Sequence, residues 1–204
     1  MKCGCDEAGR GPVIGPMVIA VVCGDEERFL ELGVRDSKML SQQRREALFK
    51  RIYEVAESVE YRIVSEEEID TAVSENKLNV LEAKIISQMI REGGDYVIDC
   101  PDVNEQRFAA LLVSLTGNRN VKAEHKADVK YPLVSAASIV AKVLREREVA
   151  KIRDEIGDFG SGYPSDRRTI EFLKSYYRQF RHLPPHTRKS WKTVNSITTT
   201  LDFY

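Results

Sequence analysis

The sequence lacks any long apolar run. None of its 204 residues lies in a stretch approaching the roughly 20 apolar positions that span a bilayer. A mean hydropathy of -0.36 agrees. A membrane class is therefore excluded, and no membrane partner is expected. No secretory leader is read either: Met1-Lys2 runs straight into a strand-like segment containing acids, which implies a cytoplasmic location. Cysteine is scarce. Cys3, Cys5, Cys23 and Cys100 have neither zinc-ligand spacing nor a secreted disulfide pattern, and are read as buried free thiols in a reducing compartment. There is no internal repeat and no low-complexity tract. The glycine-rich stretch near the start lacks the Lys-Ser/Thr ending of a phosphate-binding loop, and no G-x-G-x-x-G follows a strand, which disfavours a nucleotide-phosphate enzyme. Nothing marks a dimer seam, so a monomer is the default.

What is present is enough for one ordinary domain with an appendage. Apolar residues make up 42%, sufficient for a core, and charged residues 31%. The net charge of -1 is unevenly spread. From Ser161 onward eight bases face three acids, a net +5, which leaves -6 for the rest. A basic end on an acidic chain suggests a polyanionic partner.

The hydrophobic pattern predicts strands over Lys2–Asp6, Gly15–Cys23, Val59–Val64, Asp95–Asp99 and Val121–Glu124. Pro16 to Cys23 is almost unbroken in its apolarity, as a strand buried on both faces would be. Asp25–Leu32 reads as a short helix or loop, and Gly33–Leu40 as a polar loop. Ser41 caps a helix to about Glu57, with Leu48, Ile52 and Val55 on one stripe. Ser65-Glu66-Glu67-Glu68 is a capping box. Further helices are predicted from Leu78 to Arg91, from an Asp102 cap to Leu115, over Pro132–Ile156 and over Arg167–Phe180. In the helix from Pro132, small and apolar residues give way to charge after Ala141. Its first half should be buried on the sheet and its second half should emerge. Strands alternating with helices, then helices alone, predict an α/β class: a mixed sheet flanked by helices, with a helical C-terminal extension. The boundary is placed between 1–157 and 158–204, the two forming one compact unit.

The chemistry concentrates at the start. Cys3-Gly4-Cys5-Asp6-Glu7-Ala8-Gly9-Arg10-Gly11 sets two adjacent carboxylates at a strand end, followed by a Gly-Arg-Gly loop able to approach a ligand closely. Asp99 and Asp128 also stand at element ends. In open α/β sheets ligands gather beyond the carboxyl ends of strands. Carboxylates meeting there would repel unless a cation neutralised them, and all-oxygen ligands select Mg²⁺ or Mn²⁺, with a two-metal site able to work on a phosphodiester. Spacing alone does not join these acids, and each has a plain alternative as a cap or surface group.

Five segments together resemble the type 2 ribonuclease H family, ribonuclease HII, in its archaeal branch. They are Asp6-Glu7-Ala8-Gly9-Arg10-Gly11, Asp36-Ser37-Lys38-x-Leu40-Ser41, Ile98-Asp99, His125-Lys126-Ala127-Asp128 and Ser161-Gly162-Tyr163-Pro164-Ser165-Asp166. The resemblance covers essentially the whole chain. It implies an RNase H-like fold with a five-stranded mixed sheet, and metal-dependent cleavage of the RNA strand of RNA–DNA hybrids. It also implies incision 5′ of single ribonucleotides in duplex DNA, leaving 3′-hydroxyl and 5′-phosphate ends. By the same resemblance Asp6, Glu7, Asp99 and Asp128 are the catalytic, metal-binding carboxylates. Gly9, Arg10 and Gly11 read the ribose 2′-hydroxyl, Tyr163 stacks on the following sugar, and Ser37 and Lys38 contact the backbone phosphates; Lys126 and the basic tail would add sequence-blind affinity. Cys5 and Cys100 depart from the pattern; as neighbours of site-facing acids they should point to the other side. Leu201-Asp202-Phe203-Tyr204 partly resembles a sliding-clamp-binding peptide, with Thr198 where that motif prefers Gln. A non-catalytic hybrid-binding module is the competing reading, disfavoured because all four acids are present.

Overall fold

A computed structural model describes residues 1–34 and 40–202. Its strands are β1 (Lys2–Ala8), β2 (Met17–Cys23), β3 (Ser58–Val64), β4 (Asp95–Asp99) and β5 (Val121–Glu124). They form the expected five-stranded mixed sheet, and its strand order is β3-β2-β1-β4-β5. β1 runs antiparallel to β2 and parallel to β4, which is parallel to β5. The helices are α1 (Glu26–Leu32), α2 (Gln42–Val55), α3 (Glu66–Ser74), α4 (Leu78–Met89), α5 (Glu105–Thr116), α6 (Ala127–Lys130), α7 (Pro132–Ile156), α8 (Arg167–Phe180) and α9 (Lys192–Asp202).

The chain divides into two compact units. The first comprises Met1–Ala8, Val18–Ile63 and Asn79–Leu144, and contains nearly all of the sheet. β2 is buried at every position, as its apolar run requires. Its Val18, Ala20 and Val22 share a core with Phe29, Leu48, Ile52 and the first half of α7. That helix contributes Ala136, Ala137 and Ala141, whose small side chains permit close approach. Gly4 completes the fit: a Cβ there would collide with the backbone of Leu133 and Val134.

The second unit joins Gly9–Met17 and Val64–Leu78 to the chain from Arg145 onward. It takes in the second half of α7 and two segments from the N-terminal half. Its core is Val13, Ile14, Val149, Ile152, Phe159, Leu173, Val194 and Ile197. The second half of α7 therefore does not simply emerge into solvent: Val149 and Ile152 recur at helical spacing among its charges and are buried.

Most caps stand where the sequence places them. Ser41 accepts from Arg44 N–H, and Ser65 with Glu68 closes the capping box. The cap of α5 is Asn104, not Asp102, which instead turns inward onto Arg107. The reading of four free thiols is also overturned. Cys3 and Cys23 are opposite each other in the β1–β2 register and form a disulfide. Cys5 and Cys100 are free.

The bond closes a loop with a sequence separation of 20 and should contribute roughly 3 kcal/mol by restricting the unfolded chain. Alkylation of denatured protein should label two thiols before reduction and four after. Reduction should lower the thermal midpoint.

Candidate active site

Three strand-to-loop transitions in the first unit deliver carboxylates to one place. β1 and β4 lie parallel with Cys5 opposite Ile98, so Asp6 and Asp99 follow one step later on adjacent strands. β5 pairs with β4 as far as Glu124 opposite Asp99. The chain then turns through Lys126, a non-glycine residue in the left-handed region at φ 56°, into α6. That turn aims Ala127 N–H at Asp99 Oδ1, 2.8 Å away, and starts the helix that carries Asp128. One carboxylate oxygen from each of Asp6, Asp99 and Asp128 lies within 4.8 Å of the others. Asp6 and Asp128 are buried and Asp99 half-buried.

Such a cluster is electrostatically expensive. Burial, then Glu7, then Asp99, push the Asp6 carboxyl well above the usual carboxylate range. A Ser138 hydrogen bond and the Glu7 N–H, 2.7 Å from Asp6 Oδ1, work against that shift without cancelling it. The Cys5 thiol is pushed up by burial and then by Glu7, Asp6, Asp99 and Glu82. Glu7 is half-buried beside the cluster and not among its three members. Glu82, on α4, is almost fully buried and adds to the same negative field. Sequence reasoning missed it; the one signal was an acid on the apolar stripe of α4.

Loops bearing the acids are themselves braced. Asp102 accepts from Arg107 Nε at 3.2 Å, Asn79 Nδ2 at 2.8 Å and Asn104 N–H at 2.9 Å. Its carbonyl lies 2.7 Å from His125 Nε2, and His125 N–H donates to Glu105 Oε1. The segments after Asp99 and before Asp128 are thus tied together. Among these groups Arg107 is the main reason the Asp102 carboxyl is held down at about 2.

In the second unit, Gly9 has φ 86°, and a Cβ there would strike the Arg145 side chain. Arg10 is half-buried and Gly11 exposed. The carbonyls of this loop are captured by side chains from later in the chain. Arg188 donates Nη2 to Gly9 O at 2.6 Å, Nη1 to Arg10 O at 2.9 Å and Nε to Gly15 O at 2.9 Å. Trp191 Nε1 donates to Gly11 O at 3.2 Å. Burial, and then the neighbouring Arg145, bring the Arg188 guanidinium down to about 10. Tyr163 is partly exposed, with its ring facing Gly11 and the Arg145 guanidinium 5.7 Å from its centroid. Its loop is held by Ser161 N–H on Asp166 Oδ2 at 2.7 Å and by Asp166 N–H on Tyr163 O at 3.1 Å. Lys126 is exposed. Ser37 and Lys38 lie outside the described residues.

The family model for ribonuclease HII matches residues 3–194. A ribonuclease HII of Pyrobaculum islandicum is 48% identical over 202 residues, covering 98% of this chain and all of the relative. The chain belongs to the ribonuclease HII family. Its membership lies in the archaeal branch, and with the family comes ribonuclease H activity, endonucleolytic cleavage of RNA in RNA–DNA hybrids. The crystal structure of ribonuclease H2 from Pyrococcus horikoshii superposes with a TM-score of 0.92 at 42% identity, covering 100% of this chain and 99% of that one. A ribonuclease HII from Archaeoglobus fulgidus, solved in complex with PCNA, gives 0.86 at 47% identity with full coverage of both. Bst-RNase HIII, solved with Mn²⁺, shares the ribonuclease H-like fold at 18% identity and TM-score 0.81, over 100% of this chain and 70% of that one. No described helix of this chain is long and apolar enough to cross a membrane.

The Asp102 network gives a stability prediction with a pH signature. Its folded pKa of about 2 lies below the unfolded value of about 3.9, so its contribution is present above the unfolded value and lost as pH falls toward 2. Asp102→Ala should cost about 1–3 kcal/mol at pH 7. The gap to wild type should narrow as pH falls below about 4 in denaturant melts and close only once pH has passed below about 2.

Proposed function

We propose that this protein is a divalent-metal-dependent endonuclease. It cuts the RNA strand of hybrids and incises on the 5′ side of single ribonucleotides in duplex DNA, leaving 3′-hydroxyl and 5′-phosphate ends. The observation that carries the reading is the convergence of Asp6, Asp99 and Asp128 within 4.8 Å in a largely buried setting. The donor set fits a hard cation: every ligand atom is a carboxylate oxygen, and Asp6 is destabilised as an anion by its neighbours. Asp6, Asp99 and Asp128 would hold Mg²⁺ or Mn²⁺, with Glu7 beside them completing the catalytic four. A bound ion, or a pair, would supply Lewis acidity toward water and the scissile phosphodiester.

The chain's own residues supply selection. The Gly9-Arg10-Gly11 loop follows directly from the strand bearing Asp6 and Glu7, and its backbone N–H groups suit the 2′-hydroxyl that separates RNA from DNA. Tyr163, exposed and braced, suits stacking on the next sugar. Lys126, Ser37, Lys38 and the basic C-terminal region suit sequence-blind phosphate contact. The first unit then acts as catalytic core, and the C-terminal part as the substrate-contacting extension. A sliding clamp is a partner through Leu201–Tyr204, supported by the Archaeoglobus fulgidus relative solved with PCNA. The protein works as a cytoplasmic monomer.

A labelled DNA duplex carrying one ribonucleotide tests the reading beside an all-DNA duplex and a chelator control. Cleavage should occur only 5′ of the ribonucleotide, require Mg²⁺ or Mn²⁺, and fall at least a thousandfold, by roughly 4 kcal/mol, in Asp99→Asn while binding persists. Tight binding without cleavage in wild type under either ion would make this a binding module.

A further inference from the structure

Arg188 is fully buried and heads the large side chains so enclosed among the described residues. A basic residue near the C-terminus would be expected to lie in solvent. Burying a guanidinium is costly unless every donor is used. Here its hydrogen bonds run to the carbonyls of Gly9, Arg10 and Gly15, as many as 179 residues away in sequence. Its own N–H donates to Val13 O at 2.8 Å. The Trp191 ring packs against it at 5.0 Å and binds Gly11 O. The residues after Arg188 are fixed in turn: Asp70 on α3 accepts from Lys189 N–H at 2.7 Å and Ser190 N–H at 2.9 Å.

Peptide planarity turns this clamp into a directional device. No cis peptide bond occurs among the described residues, so each N–H points opposite to the carbonyl of its own peptide. With Gly9 O and Arg10 O drawn onto Arg188, the N–H groups of Arg10 and Gly11 are both turned away from it. Gly11 precedes Pro12, which has no N–H, so these two donors end the series.

We propose that Arg188 is the positioning residue of the ribose-reading loop: by holding the Gly9, Arg10 and Gly15 carbonyls it sets the direction of the loop's N–H donors, and with it the preference for a ribonucleotide over a deoxyribonucleotide. The proposal rests on the reading of Gly9–Gly11 as the 2′-hydroxyl contact and adds the residue that enforces it. A lysine cannot substitute, because one ammonium cannot span carbonyls that the planar fork reaches from three nitrogens.

The test uses the full-length chain carrying Asp99→Asn, so that binding is read without cleavage. Fluorescence anisotropy gives affinities for a duplex with one ribonucleotide and for the same duplex in all-DNA form. Adding Arg188→Lys should reduce the affinity ratio roughly tenfold while leaving all-DNA binding within about twofold. Trp191→Phe, which keeps the ring and removes the donor to Gly11 O, should reduce the ratio by a smaller factor. Free guanidinium should restore part of the ratio in Arg188→Ala. A folded Arg188→Lys protein with an unchanged ratio, or with both affinities lowered equally, overturns the proposal. If Arg188→Lys fails to fold, an unchanged ratio in Trp191→Phe overturns it instead. Absence of any ribonucleotide preference in the Asp99→Asn parent would sink the loop reading itself, and is seen before Arg188 is touched.

Discussion

Like charge held out of water is the constraint on which this structure turns. Asp6, Asp99 and Asp128 come within 4.8 Å of one another, two of them buried. Isolated carboxylates would avoid that arrangement. It persists because the surroundings leave little choice. Asp6 and Asp99 are carried on adjacent parallel strands in fixed register, and β1 is pressed by α7 across a glycine that leaves no room for a side chain. Asp128 is delivered by a left-handed turn whose next amide is bonded to Asp99. The fold thus spends packing energy to assemble a cluster whose repulsion a bound cation would relax.

Backbone carbonyls play the matching part in the second unit. Where the carboxylates call for a cation from outside, the glycine loop receives one from its own chain. Arg188 is a buried charge with hydrogen bonds to three carbonyls, the form in which a desolvated guanidinium is tolerable. Its effect is to fix the conformation of a segment whose glycines would otherwise leave it free.

Much of this was legible in the residues. The apolar run of β2, the capping serines at 41 and 65 and the glycine after α5 follow from local chemistry, and the structure has each of them. The acids at strand ends were visible singly; uniting Asp6 and Asp99 with Asp128 needed the family resemblance, because convergence is a property of register and not of spacing. Cys3 and Cys23 escaped for the same reason: only the antiparallel β1–β2 pairing puts them face to face. Asp102 was misread as a cap because its side chain satisfies Arg107 and Asn79 instead, two residues before Asn104, which caps the helix. Arg188 was counted among the bases of a C-terminal end expected to meet a polyanion, since charge arithmetic does not register carbonyl oxygens as partners.

The most direct test of the central claim is the thermal midpoint of wild type and Asp128→Asn, each in chelator and in Mn²⁺. If the cluster is a cation site, Mn²⁺ should stabilise wild type, by about 2.7 kcal/mol at a hundredfold excess over Kd. Asp128→Asn should melt higher than wild type in chelator, because repulsion is relieved, and should respond far less to the ion. A wild-type midpoint indifferent to Mn²⁺, or an Asp128→Asn protein that melts lower than wild type in chelator, would contradict the account.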